Sequence, residues 1–131
     1  MGELRTILHV DDDDDILHLA RMGFEITGGF SVHQCRSGAE TLASIGSVNP
    51  DLLLLDMMMP DLDGIMLLSK IRMMPAFVNL PAVFMTGSVA SGGQGATELP
   101  GVIGFIIKPF DPLTIADQLK TIWAEQGMGR T

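Results

Sequence analysis

The chain has 131 residues, 47% hydrophobic and 18% charged, a balance that supports one compact core and excludes a disordered chain. A net charge of −8, with eight Lys and Arg scattered along the sequence, leaves no basic patch and argues against direct nucleic-acid binding. No apolar run reaches the roughly 18 residues of a membrane span, Met1 to Arg5 carry no apolar leader, and Cys35 has no partner for a disulfide, so a cytoplasmic setting off the membrane is expected.

Taken in order, five short apolar segments alternate with segments of helical period. Thr6–Val10 reads as a strand, and Ile16, Leu19, Ala20 and Phe24 then mark a helical stripe. Ser31–Cys35 is the second strand, followed by a stripe of Ala39, Leu42 and Ala43. The third strand, Asp51–Leu55, is almost wholly apolar, which suits a strand covered on both faces. Ile65, Leu68 and Ile71 form the next stripe, and Pro75 and Pro81 separate it from a fourth strand, Ala82–Thr86. Ser88–Val102 reads poorly as a helix, because Gly92, Gly93 and Gly95 each cost roughly 1 kcal/mol of local preference. A helix there is expected to be short, displaced or mobile. Ile103–Ile107 is the fifth strand, and Leu113, Ala116, Leu119 and Trp123 mark the last helix.

The alternation predicts an α/β fold, a (βα)5 unit with a doubly wound, open, parallel five-stranded sheet. One domain is expected over residues 1–126, with 127–131 as a loose C-terminal tail. In such sheets ligands bind beyond the carboxyl ends of the strands, where the strand order reverses. Asp11 and Asp12 follow the first strand, Asp56 follows the apolar run of the third, Thr86 ends the fourth and Lys108 follows the fifth. All five therefore project toward one edge. Singly, each has an ordinary explanation as a helix cap, a turn residue or a solvated charge. Together they place three carboxylates side by side, and a hard divalent cation is what relieves that crowding.

Two other acidic patterns fail on inspection. Asp11–Asp15 could open an EF-hand loop, but Ile16 and Met22 stand where Gly and Glu are needed. Asp61-Leu62-Asp63-Gly64 is similar to an aspartyl-phosphatase signature, yet it follows Pro60 instead of a strand and runs into Ile65 instead of Thr. His9, His18 and His33 show no metal-ligand spacing, and His9 reads as a hydrogen-bonded sheet histidine.

The stretches Ile7-Leu8-His9-Val10-Asp11-Asp12-Asp13, Pro50–Gly64 around Asp56, Met85-Thr86-Gly87 and Gly104–Phe110 resemble the receiver domains of bacterial response regulators. The likeness runs from Thr6 to about Gln126. It implies a flavodoxin-like strand order of 2-1-3-4-5 and a phosphorylation switch, not an enzyme acting on separate substrates. Asp56 would be the phosphoacceptor. Asp11, Asp12, Asp56 and the backbone carbonyl of Met58 would hold Mg²⁺, and Thr86 and Lys108 would bind the phosphoryl group. The partner implied is a histidine kinase or histidine phosphotransfer protein, with an output domain or downstream protein beyond it. Phe105 stands where the family has a switch aromatic, often Tyr, although core packing explains it equally well. The resemblance also makes Lys108-Pro109 a candidate cis peptide.

Overall fold

A computed structural model describes residues 2–87 and 99–128. Its elements are β1 (Thr6–Val10), α1 (Asp14–Met22), β2 (Ser31–Cys35), α2 (Gly38–Val48), β3 (Leu52–Asp56), α3 (Gly64–Arg72), β4 (Ala82–Thr86), β5 (Val102–Ile107) and α4 (Ile115–Met128). A single π-helical turn, Gly23–Thr27, extends α1, and a 3₁₀ turn, Pro75–Phe77, follows α3. The glycine-rich segment expected to be a poor helix falls, over 88–98, outside the described residues.

The five strands are parallel and lie in the order β2-β1-β3-β4-β5. This is the doubly wound order expected of the alternating pattern, with its switch point between β1 and β3. Because side chains alternate along a strand, each strand feeds two cores. Leu8, Val10, Leu53, Leu55 and Phe84 pack with Ile45 of α2 and Leu67, Leu68 and Ile71 of α3. Ile7, Leu52, Leu54, Val83 and Met85 pack with Ala20 and Phe24 and with Ile115, Ala116 and Leu119 of α4. Every residue of β3 and β4 is buried, which is why these strands carry no polar alternation.

The helical faces correct the sequence reading in three places. Leu19 of α1 is exposed, and the buried positions are Leu17, Ala20 and Phe24. Ala39 and Ala43 of α2 also face solvent, whereas Gly38, Thr41 and Ile45 turn inward with Leu42 half-buried. Leu113 precedes α4 and is exposed, its expected place being taken by Ile115. The first two share a cause: three and four residues are both helical spacings, so a sparse stripe allows two rotations about the helix axis, whereas Leu113 falls outside because the helix starts only at Ile115. Thr41 gives no apolar signal because it is polar, but its hydroxyl is satisfied within the helix by donating to the Ser37 carbonyl at 2.8 Å.

Side-chain caps hold three helices where they leave the sheet's carboxyl edge. Asp13 accepts from the amides of Asp15 and Ile16, Ser37 from Glu40, and Asp63 from Met66 at 2.8 Å. Gly64, the first residue of α3, lies so close to β3 that an added Cβ would stand 2.5 Å from the Asp56 carbonyl oxygen and 2.9 Å from the Phe84 ring. Both neighbours are held by the core, so Gly64→Ala is expected to destabilise the fold by about 1–3 kcal/mol. Urea unfolding of the variant beside wild type checks this, and an unchanged midpoint would show that α3 can move off β3.

Candidate functional site

The carboxyl edge at the β1/β3 switch point gathers the residues expected there. Asp11 follows β1, is fully buried, and is fixed from both sides: its amide donates to the Cys35 carbonyl, and its Oδ1 accepts from the Asp13 amide at 3.0 Å. Asp56 ends β3 almost fully buried, with its Oδ1 accepting from the Met58 amide at 3.3 Å. Lys108 follows β5 and reaches between the two. Its Nζ lies 2.8 Å from Asp11 Oδ2 and 3.1 Å from Asp56 Oδ1.

Asp12 is exposed beside this pair. Carboxylate oxygens of Asp11, Asp12 and Asp56 all come within 4.8 Å of one another. Thr86 is buried at the end of β4, and its carbonyl accepts from the Lys108 amide at 2.8 Å, which ties these two neighbours on the rim together. The Lys108–Pro109 peptide is cis. Phe105 is half-buried on β5 and stacked on Phe84, with ring centroids 6.4 Å apart. Of the three consecutive methionines, Met57 and Met59 are buried and only Met58 is exposed, at 77%.

The electrostatics follow from one cation serving several anions. Burial pushes the Asp56 carboxyl above its usual range, Asp11 pushes it further, and the hydrogen bonds from Lys108 and Met58 offset only part of this. Burial opposes the charge on Lys108, yet its contacts with Asp11 and Asp56 raise its pKa overall and keep it an ammonium. His9 lies on β1 in the same region, fully buried, its Nδ1 3.2 Å from Gln34 Nε2. Burial, then Lys108 and Arg21, push its pKa down to about 3, so the ring is neutral near physiological pH. Its Nε2 meets no hydrogen-bond partner among the described residues, so the expectation of a fully satisfied sheet histidine holds only for one nitrogen.

The aspartate run divides its work in a way its uniform sequence conceals. Asp11 pairs with Lys108, Asp12 joins the cluster, Asp13 caps α1, and Asp14 makes an exposed ion pair with Arg36 at 3.0 Å. Gly64 belongs to the site's frame although its chemistry does not point there; the one signal is that a glycine opening the helix after the acidic loop marks a close backbone approach.

An α/β domain of this topology is doubly wound, a class in which ligands commonly bind at the sheet edge where the acidic cluster and Lys108 lie. The sequence profile of the response regulator receiver domain matches residues 7–120, so the chain belongs to the receiver family of two-component signalling. Response regulator Rre1 of Synechocystis is 30% identical over 126 residues, covering 96% of this chain and 54% of that protein. The chain thus spans about half the length of Rre1, and less of several other curated relatives. The receiver domain protein of Methanospirillum hungatei superposes with a TM-score of 0.79 at 28% identity, covering 97% of this chain and 99% of that one. Chemotaxis protein CheY4 of Vibrio cholerae shares the fold, with a TM-score of 0.82 at 24% identity over 92% of this chain and 99% of that one.

The raised Asp56 pKa carries a sign. The folded state holds the Asp56 proton more tightly than the unfolded chain does, so stability is lost as pH rises through the window from the unfolded to the folded pKa and stays lost above it. Asp56→Asn removes that loss. The variant is expected to be more stable than wild type at neutral pH in EDTA, with the difference shrinking as the pH is lowered through that window. Urea unfolding at several pH values measures it, and a less stable variant at neutral pH would mean that the Lys108 contact outweighs burial and repulsion.

Proposed function

We propose that this domain is a phosphorylation switch in which Asp56 accepts a phosphoryl group from the phosphohistidine of a histidine kinase or histidine phosphotransfer protein. The observation that carries the reading is the Lys108 ammonium bridging Asp11 and Asp56 beside Asp12. The donor set consists of carboxylate oxygens of Asp11, Asp12 and Asp56, to which the Met58 carbonyl would add another, and hard oxygen ligands of this kind fit Mg²⁺. When bound, Mg²⁺ would neutralise charge on the transferring phosphoryl group and hold it in line with the acceptor.

The chain's own residues supply the rest. An Asp56 carboxylate oxygen attacks phosphorus, the phosphorus–nitrogen bond of the phosphohistidine breaks, and an acyl phosphate forms as the imidazole leaves. Burial has stripped much of the water from Asp56, so its charge is poorly solvated before transfer. Lys108, already a charged donor 3.1 Å from Asp56, passes to a phosphoryl oxygen as that charge moves outward. Thr86 offers its hydroxyl from the adjoining strand. Phe105, on the neighbouring strand and stacked on Phe84, would be the side chain to respond when Thr86 is drawn toward the phosphoryl group. A cytoplasmic location, where such a donor is found, is part of the same reading. Among the described residues no helix is long and apolar enough to cross a membrane.

Acetyl phosphate with Mg²⁺ is expected to add one phosphate to the wild-type chain, with acetate leaving in place of imidazole. Asp56→Asn, or wild type in EDTA, is expected to gain none. Intact-mass measurement decides: an unlabelled wild type under conditions that label a known receiver would make the domain an interaction module that does not turn over phosphate.

A further inference from the structure

The acidic loop between β3 and α3 holds a motif that the site itself does not use, Asp61-Leu62-Asp63-Gly64. The ends of this loop are fastened to the sheet. The Met57 amide donates to the Met85 carbonyl and the Gly64 amide to the Met57 carbonyl, both at 3.0 Å. Between those ends the Met58 amide donates to Asp56 Oδ1 and Met59 is buried in the core, and a further contact reaches outside the loop. Asp61 Oδ2 accepts from the Gly38 amide at 3.1 Å. That amide belongs to the first residue of α2, where the helix supplies no partner of its own. Leu62 packs on the same glycine so closely that a Cβ on Gly38 would lie 2.8 Å from Leu62 Cδ2.

We infer that Asp61 is a positioning residue for the cation site: by gripping the start of α2 it fixes the loop that presents the Met58 carbonyl. The inference rests on the proposed role of that carbonyl as a cation ligand. Asp61 is exposed and its grip is a backbone hydrogen bond, so what it contributes is geometry. Gly38 matters for the complementary reason that any side chain there would lever Leu62, and the loop with it, away from α2. The amide of Met58 already donates to Asp56 Oδ1, so a shift of this loop would be felt by the phosphoacceptor as well as by the cation. Groups that orient a ligand from behind in this way typically change metal affinity by about tenfold or more when removed.

Mg²⁺ titration of the ¹⁵N-labelled chain, followed by the amide shifts of Asp12 and Asp56, tests this with variants that separate geometry from charge. Asp61→Ala is expected to raise the Mg²⁺ dissociation constant by about tenfold and to shift the Gly38 amide as its acceptor is lost. Asp61→Asn keeps an oxygen acceptor without the charge and is expected to bind Mg²⁺ close to wild type. Gly38→Ala leaves every carboxylate in place and is expected to weaken Mg²⁺ by displacing Leu62. Unchanged affinity in both alanine variants overturns the inference, as does an Asp61→Asn variant as weak as Asp61→Ala, which would assign the effect to charge. These failures differ from failure of the proposed function: a wild type that takes up no Mg²⁺, or an Asp12→Ala variant that binds as wild type does, overturns the cation site and this inference with it.

Discussion

The rest of this domain depends on one ammonium group shared between two buried carboxylates. Lys108 meets both Asp11 and Asp56 within hydrogen-bonding distance, with the shorter contact to Asp11. Asp12 adds a third carboxylate within reach of the other two. A buried charge is tolerable only when paired, and here the pairing is incomplete in number, with one positive group against several negative ones. Burial first, and then this imbalance, make Asp56 hold its proton more tightly than an ordinary aspartate, and the imbalance is why a divalent cation would be welcome at the same place.

Holding that arrangement requires a frame that does not yield to its own repulsion. The sheet provides it, since β3 and β4 are buried along their whole length and the residues around the site leave those strands with no flexible span between. Backbone hydrogen bonds carry the frame past the strand ends: Met57 to Met85, Lys108 to Thr86 and Asp11 to Cys35 each link neighbouring strands one residue into the loops. Caps from Asp13, Ser37 and Asp63 then fix where the helices that follow β1, β2 and β3 begin.

The polar surroundings divide between this rim and a hydrogen-bonded chain behind it. Neutral His9 touches Gln34, whose amide donates to the Leu17 carbonyl at 2.6 Å and whose oxygen accepts from Arg21 at 3.1 Å. Arg21 in turn pairs with Glu25 at the surface. The effect is a polar thread from solvent to the back of the site that adds no charge at its buried end. It leaves Lys108 to set the local potential without a second cation on β1 beside it.

Much of this is legible in the sequence alone. Strand positions follow from runs such as Leu52–Leu55, and a parallel sheet sends every strand's carboxyl end to one side, so the order of residues along the chain already implies that Asp11, Asp12, Asp56, Thr86 and Lys108 meet. What the sequence could not decide was contact across distance and rotation about an axis. Five identical aspartates in a row look alike, yet the fold makes Asp11 an ion-pair partner and Asp13 a cap. Ala39 and Ala43 have the spacing of an inner face, but the face that α2 turns to the core carries Gly38, Thr41 and Ile45. The pattern around Asp61 gives no sign of this contact, since its partner is an amide 23 residues away. Periodicity records what each residue needs from its own element, whereas the partners of Lys108, 97 and 52 residues distant, exist only once the sheet has brought its strands together.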